Sequence, residues 1–218
     1  MTTSVDIVIE ICGSAGEGTI SAGEVMTRFM SSEGYDIVSF DSFPSEIRGF
    51  GKCVAHFRVS SEKALSPGKY TDVLVALNDA HAITQLGGLR KNGVLIYDSK
   101  PPVCHEEDMS IAGWAEPGMT AYGIPMLELA NKAAGNAKGR NMVAIGAVAA
   151  LFGIDPEAMK AFIEARYKGK KQVIIDSNLA SFSLGYEWTT HHVDKEDPYT
   201  FEGAAPPPPQ DEQMIMNG

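Results

Sequence analysis

The sequence predicts an α/β domain built on a mostly parallel, twisted sheet with helices on both faces. Residues 72–77 and 93–97 are near-continuous apolar runs, which are typical of strands buried on both faces of such a sheet. Residues 5–11 form a β-branched run, and a glycine-rich stretch and a helical pattern follow it. The order of strand, loop and helix at the start of the chain makes the predicted fold Rossmann-like.

The remaining elements are predicted from the same periodicities. Further strands are predicted over residues 36–40 and 53–59, and helices over 19–33, 125–134, 141–152 and 156–168. Asp155 is a suitable N-cap for the last of these helices. The helix over 141–152 is apolar nearly all round and rich in alanine and glycine. We therefore expect it to be a central helix that allows close backbone approach.

The C-terminal part of the chain is predicted to be a tail. The regular pattern ends after Tyr186, and four consecutive prolines at 206–209 favour an extended spacer. We therefore expect a folded domain over residues 5–187 and a linker over 188–218 that leads to a following domain. The aromatic residues Trp188, Tyr199 and Phe201 are expected to cover that neighbouring domain.

The net charge and hydropathy of the chain limit its partners. A formal net charge of −10 argues against a nucleic-acid surface, which needs clustered Lys and Arg to displace counterions from phosphates. No apolar run approaches the roughly 18 residues that a membrane span needs. The first residues lack the basic and then apolar order of a signal peptide. We expect a cytoplasmic protein without nucleic-acid or membrane partners.

The cysteines and histidines do not predict a metal or cluster site on this chain. Cys12, Cys53 and Cys104 are single and far apart, so they are expected to be free thiols. His191 and His192 lie in a polar stretch without a third ligand at helical spacing. No combination of nucleophile, base and orienting acid can be assembled, so no catalytic residue is assigned.

The glycine-rich loop is the first candidate binding site. It comprises Gly13, Ser14, Ala15, Gly16, Glu17 and Gly18. Backbone amides and the helix dipole favour an anion at such a position. The spacing differs from the dinucleotide fingerprint, although Asp41 follows at about the distance of its ribose-binding acid. A nicotinamide or flavin nucleotide site, and glycines that serve only a tight turn, are the alternatives to a phosphate site.

A second group of candidates is expected at the carboxyl end of the sheet, where ligands bind in such folds. Ser45, Arg48 and Lys52 lie in one predicted turn, and a guanidinium can grip a phosphate with two parallel hydrogen bonds. A pairing of Arg48 with a carboxylate or with another domain is an equal alternative. Asn78 follows a buried strand and is expected to face the same crevice, and Asp79 is expected to N-cap the next helix.

Several segments, taken in order, resemble one family. They are the loop at 13–18, the segment Phe43-Pro44-Ser45-Glu46-Ile47-Arg48-Gly49, Ser66-Pro67, and residues 71–78, 93–98 and 141–153. Their order and spacing resemble the gamma subunit or domain of 2-oxoacid:ferredoxin oxidoreductases over residues 5–187. Phe50 and Glu17 depart from a frequent glycine and a frequent glutamine of that family.

The resemblance implies a role in a larger enzyme. Such an enzyme oxidatively decarboxylates a 2-oxoacid to acyl-CoA and reduces ferredoxin, or fixes carbon dioxide in reverse, as in a reductive TCA cycle. Thiamine diphosphate, Mg and iron–sulfur clusters are expected on the alpha and beta partners. Because this chain is acidic, its contact with ferredoxin is expected to be indirect.

For this chain the resemblance implies that it helps to bind or cover coenzyme A and to assemble the complex, and that it is not a complete enzyme alone. Fused members, usually of the 2-oxoglutarate type, place this domain first and an alpha domain after the linker. A nucleotide-dependent reductase and a purely structural assembly domain are the alternatives.

Overall fold

The computed structural model describes residues 4–43, 51–100 and 111–202. The strands are β1 (Asp6–Ser14), β2 (Asp36–Ser42), β3 (Lys52–Ser60), β4 (Thr71–Ala76), β5 (Leu89–Asp98) and β6 (Thr120–Ile124). The α-helices are α1 (Thr19–Ser32), α2 (Asp79–Ala82), α3 (Met126–Ala134), α4 (Arg140–Phe152), α5 (Pro156–Arg166) and α6 (Gln172–His192). Short 3-10 helices cover Ile83–Gly88, Ile111–Trp114 and Ala137–Gly139.

The described strands form one mixed sheet in the order β2-β3-β1-β4-β5-β6. β3 runs antiparallel to both of its neighbours, whereas β1, β4, β5 and β6 pair in parallel. Five of the six strands therefore point the same way, which confirms the mostly parallel sheet. The carboxyl ends of these strands meet at one edge, which we call the carboxyl edge.

Helices cover both faces of the sheet, but unequally. The main core lies between one face and the helices α1, α3, α4, α5 and α6, and it includes the side chains of Ile9, Met26, Phe57, Phe152 and Phe182. On the other face, α2 and two 3-10 helices cover a smaller cluster that includes Cys12, Leu74 and Leu95. The alternation of β1 side chains between the two clusters follows from the strand period of two.

The central helix α4 packs directly against α6. All of α4 except Ala150 is buried. A Cβ added at Gly146 would lie 2.7 Å from the backbone nitrogen of Tyr186, and one added at Gly185 would lie 2.9 Å from the Cα of Val143. Both glycines are therefore needed for the close backbone approach that the sequence predicted for this helix.

The C-terminal part differs from its prediction. α6 continues beyond Tyr186 to His192, and the ring nitrogens Nδ1 of His191 and His192 bond the carbonyls of Glu187 and Trp188 one turn earlier. The end of α6 was not predicted because the residues of its last turn are polar and show no apolar periodicity. This region is therefore ordered helix rather than the start of an irregular tail.

The aromatic residues after α6 also differ from their prediction. Phe201 is buried against the ring of Tyr35, and its amide donates to the carbonyl of Phe152 at 2.8 Å. The Tyr199 hydroxyl lies 3.3 Å from Asp72 at the start of β4. Phe201 therefore belongs to the core of its own domain, and Tyr199 packs against that core. The proline run at 206–209 lies outside the described residues.

The membrane prediction concerns helix length and polarity. Within residues 4–43, 51–100 and 111–202, no helix combines the length and apolar character required to cross a bilayer.

Candidate functional site

The carboxyl edge collects the candidate residues that the structure describes. The loop at 13–18 begins with the last two residues of β1, and Asn78 lies two residues after β4. Because β3 is antiparallel to β1, its first residue Lys52 pairs directly with Ser14. The sheet topology therefore brings the loop and Lys52 side by side. Ser45 and Arg48 lie outside the described residues.

The glycines of the loop are required by its geometry. Gly16 and Gly18 have φ angles of 92° and 80°, in the left-handed region that side chains disfavour. Gly18 is the N-cap of α1 and supplies no side-chain cap. A Cβ at Gly13 would lie 2.5 Å from Oγ1 of Thr19. The loop is thus a tight connection between β1 and α1.

Three of the six backbone amides in the loop donate hydrogen bonds to other atoms of the chain. The amide of Ser14 donates to Oε2 of Glu17 at 2.6 Å, and that of Glu17 to the carbonyl of Ser14 at 3.1 Å. The amide of Ala15 donates to the carbonyl of Gly51 at 2.9 Å. The amides of Gly16 and Gly18 take no part in these bonds. Because no hydrogen bond from either amide to another described residue is present, we regard them as the candidate donors to an external anion.

A buried arginine links the loop to the neighbouring strand ends. Arg140 lies 3.4 Å from Oε1 of Glu17 through Nη1 and 3.4 Å from Oδ2 of Asp98 through Nε. Its Nη2 donates to the carbonyl of Leu77. Arg140 therefore joins the ends of β1, β4 and β5 in one polar network.

Asp98 extends this network to α3. Its carboxylate accepts hydrogen bonds from the amides of Met126 at 3.0 Å, Leu127 at 3.1 Å and Lys100 at 3.1 Å. Burial raises the pKa of Asp98 above its ordinary value, although the Lys100 amide, Arg140 and the two α3 amides oppose the shift. Asp98 thus occupies the amino end of α3, where the helix dipole favours a carboxylate.

Lys52 and Asn78 make local contacts. Nζ of Lys52 donates to Oγ1 of Thr84 at 3.1 Å at an exposed position. Oδ1 of Asn78 accepts from the amide of His81 at 3.3 Å, so Asn78 is the N-cap of α2. The prediction that Asp79 is this cap is wrong, since its carboxylate instead accepts from the amide of Ile111 at 3.1 Å. Asn78 has the better position because it retains extended backbone angles just before the helix.

The site also contains three residues that were not predicted from the sequence, namely Arg140, Asp98 and Asn141. Nδ2 of Asn141 lies 3.3 Å from the carbonyl of Gly18, so α4 contacts the loop at two consecutive residues. One signal was available. A cation at the first residue of a helix opposes the helix dipole, so Arg140 at that position indicates nearby carboxylates that hold it.

The strand order disfavours the dinucleotide alternative. Asp41 pairs with Ala55 of β3, which in turn pairs with Ile11 of β1. Since neighbouring strands lie about 4.8 Å apart, Asp41 is roughly 10 Å from β1. In the dinucleotide fold, by contrast, the strand that carries the ribose-binding acid lies next to the first strand. Burial, reinforced by Glu24, also raises the pKa of Asp41 above its ordinary value.

Comparison with known proteins identifies relatives over most of the chain. The family model described as pyruvate ferredoxin/flavodoxin oxidoreductase matches residues 8–188. Ketoisovalerate oxidoreductase subunit VorA of Methanothermobacter thermautotrophicus is 30% identical over 194 residues, which are 88% of this chain and 38% of that subunit. 2-Oxoglutarate synthase subunit KorC of Archaeoglobus fulgidus is 29% identical over 84% of this chain and 87% of its own.

Solved structures share the fold. A 2-oxoglutarate:ferredoxin oxidoreductase from Magnetococcus marinus, with 2-oxoglutarate, coenzyme A and succinyl-CoA bound, superposes with a TM-score of 0.78 at 29% identity. The match covers 93% of this chain and 33% of that one. The gamma subunit of a keto/oxoacid ferredoxin oxidoreductase from Geobacter sulfurreducens has the same fold, with a TM-score of 0.66 at 24% identity over 85% of this chain and 99% of its own. This chain thus spans about a third of the larger relatives. It belongs to the pyruvate ferredoxin/flavodoxin oxidoreductase family, as its resemblance to the gamma component predicted.

Proposed function

We propose that this chain is the gamma component of a 2-oxoacid:ferredoxin oxidoreductase. Such an enzyme converts a 2-oxoacid, coenzyme A and oxidised ferredoxin to acyl-CoA, carbon dioxide and reduced ferredoxin, or catalyses the reverse reaction. The observation that carries the proposal is the similarity of 93% of this chain to part of the Magnetococcus marinus enzyme, whose structure contains coenzyme A. We expect the complex to work in the cytoplasm.

The role proposed for this chain is to hold or cover coenzyme A at the carboxyl edge. Coenzyme A carries a pyrophosphate and a ribose phosphate, which require amide donors or cations. The amides of Gly16 and Gly18 belong to the loop whose residue Ser14 pairs with Lys52, and the ammonium group of Lys52 is exposed. Ser45 and Arg48 precede Lys52 in the chain and are proposed to contribute further donors. These groups offer local positive charge on a chain whose net charge is −10.

The chemistry of the reacting carbon is proposed to lie on the partners. Thiamine diphosphate with Mg on the alpha and beta components would supply the stabilised carbanion, and iron–sulfur clusters on a partner would carry electrons to ferredoxin. The residues of this chain would bind and orient the coenzyme so that its thiol faces the acyl group. This division agrees with an acidic chain that meets ferredoxin only indirectly.

The larger relatives support a proposal about the chain order. VorA and subunit KorA of the Mycobacterium tuberculosis 2-oxoglutarate oxidoreductase match this chain over only 38% and 31% of their lengths. We propose that the folded domain precedes an alpha domain, with the linker in the segment after the last helix.

For the oxoacid we propose 2-oxoglutarate. The Magnetococcus marinus enzyme, KorC and KorA are all named for it, whereas VorA is named for ketoisovalerate. The assembled complex should reduce ferredoxin with a higher kcat/KM for 2-oxoglutarate than for 2-ketoisovalerate or pyruvate. A preference for either of the other acids would reject this substrate.

The coenzyme role is tested by Lys52→Ala in the assembled complex. Loss of one charged hydrogen bond to a phosphate should raise the KM for coenzyme A roughly tenfold and leave the KM for the oxoacid unchanged. Arg48→Ala should act in the same direction. Lys63→Ala is the matched control, because Lys63 follows the other end of β3 and is exposed.

Three outcomes separate the proposed function from its alternatives. If neither Lys52→Ala nor Arg48→Ala changes the KM for coenzyme A, this chain is an assembly component rather than a coenzyme site. Purification as a colourless protein that binds NADH or FAD would favour a free-standing reductase. Co-purification with a partner that contains thiamine diphosphate and iron–sulfur clusters supports the proposal.

A further inference from the structure

The glycine-rich loop contains its own carboxylate. Oε2 of Glu17 accepts the amide of Ser14 at 2.6 Å, and it would lie 3.0 Å from a Cβ placed on Gly13. The carboxylate therefore closes the loop over Gly13 and uses the donor nearest to β1. The side chain of Glu17 is only 22% exposed, so it forms part of the loop interior.

Arg140 holds this carboxylate from the opposite side. Its Nη1 lies 3.4 Å from Oε1 of Glu17, so the two oxygens of the carboxylate bind Arg140 and the Ser14 amide separately. Arg140 donates to the carbonyl of Leu77 and forms an ion pair with Asp98, and its side chain is 8% exposed. A rigid cation thus positions a carboxylate that in turn positions the loop.

The surroundings leave little freedom for any other arrangement. Oγ1 of Thr19 is buried and has no hydrogen-bond partner among residues 4–43, 51–100 and 111–202. A Cβ at Gly18 would lie 2.5 Å from Nδ2 of Asn141, so α4 also packs tightly against the start of α1. Without the Glu17 carboxylate, the Ser14 amide would lose its acceptor, and the amides of Gly16 and Gly18 would lose part of what fixes their positions.

We propose that Glu17 and Arg140 are positioning residues for the binding of the anionic part of coenzyme A. Arg140 holds Glu17 on the Ser14 amide, and this closed loop fixes the positions of the amides of Gly16 and Gly18. The inference rests on the proposed function, since it concerns the same ligand. It adds two residues that do not themselves contact the coenzyme.

The test uses the assembled complex with Glu17→Ala, Arg140→Met and the double variant. Loss of a charged hydrogen bond that shapes the loop should raise the KM for coenzyme A roughly tenfold in Glu17→Ala, with kcat and the KM for the oxoacid nearly unchanged. Because Arg140 acts through Glu17, Arg140→Met should add no further increase in the Glu17→Ala background. Glu17→Gln keeps an acceptor for the Ser14 amide and should recover part of the affinity.

Two further measurements keep the test decisive. Glu33→Ala, an exposed charge at the end of the same helix, is the control and should leave every constant unchanged. Hydrogen–deuterium exchange should show faster exchange of the loop peptide in Glu17→Ala. If Arg140→Met does not fold, Glu17→Ala, Glu17→Gln and Arg140→Lys still decide the question.

The outcomes separate this inference from the proposed function. If Lys52→Ala weakens coenzyme A binding but Glu17→Ala does not, the positioning role is wrong and the coenzyme site stands. If the KM for coenzyme A in the double variant rises by the product of the two single increases, Arg140 does not act through Glu17. If Lys52→Ala, Arg48→Ala and Glu17→Ala all leave the KM for coenzyme A unchanged, both the site and the inference fail.

Discussion

Replacement of Gly146 by alanine tests the contact between the two central helices. The added Cβ would lie 2.7 Å from the backbone nitrogen of Tyr186 and closer still to the carbonyl oxygen of Phe182. Both atoms belong to the backbone of α6, so no change of side-chain rotamer can relieve the contact. The helices α4 and α6 would have to separate by roughly 1 Å, which disturbs a helix that is buried almost throughout.

The expected magnitude follows from two opposing effects. Overpacking costs about 3 kcal/mol, whereas alanine gains about 1 kcal/mol over glycine in helix propensity. The net loss of unfolding free energy is about 2 kcal/mol, or a fall in Tm of about 4–8 °C for a protein of this size. Thermal unfolding followed by circular dichroism measures it.

Gly88→Ala is the control for this experiment. A Cβ at Gly88 meets no atom within 4 Å, and the residue does not have a positive φ. Its Tm should change by no more than about 2 °C. If Gly146→Ala melts within the same interval, the close approach of α4 and α6 is not as the structure shows it.

Two further predictions concern titratable groups on the other face of the sheet. Burial lowers the pKa of His56, but its hydrogen bonds to Glu10 at 2.9 Å and the carbonyl of Pro67 at 2.8 Å outweigh burial and raise that pKa. The folded pKa exceeds the unfolded one, so this stabilisation is complete below pH 6.5 and is lost as the pH rises through the folded value. His56→Gln should flatten the pH dependence of the urea midpoint between pH 6 and 9, and an unchanged slope would contradict the assignment. Burial also raises the pKa of Cys12 to about 12, although Lys52 opposes the shift. Iodoacetamide at pH 8 should therefore modify Cys12 only after unfolding. If peptide mapping finds Cys12 modified in the folded protein, the cluster around β1 is open to the reagent.

Much of the fold follows from local sequence signals. The apolar run at 72–77 corresponds to β4 at Thr71–Ala76, and the helical pattern at 19–33 corresponds to α1 at Thr19–Ser32. Asp155 is the N-cap of α5, and its side chain accepts the amide of Glu157. These features depend on side-chain periodicity and on neighbours within a few residues, which the sequence displays directly.

The arrangement of the strands depends on contacts that are distant in the chain. The alternation at 53–59 predicts a strand, but its insertion between β1 and β2 depends on pairs such as Gly13 with Cys53. Periodicity specifies which face is buried, not the direction or the neighbours of a strand. β6 was not predicted because residues 120–124 are a run of only five residues that contains a glycine.

The local part of the candidate site could be predicted from the sequence, whereas its long-range contacts could not. The loop at 13–18 is contiguous, so its turn and its glycines could be recognised from the sequence. The contact between Glu17 and Arg140 joins residues 123 positions apart, and no local pattern indicates it. Whether Ser45 and Arg48 join the site stays a prediction.

The last described residues fix the place at which the chain reaches the end of the described domain. Phe201 packs beside Phe152 at the far end of α4, whereas Arg140 at the near end of that helix contacts the glycine-rich loop. With a rise of 1.5 Å per residue, this helix separates the two positions by about 20 Å. A domain attached beyond Glu202 would thus be joined at the end of α4 that lies away from the proposed coenzyme site. Its point of attachment would therefore be remote from the residues proposed to bind the coenzyme.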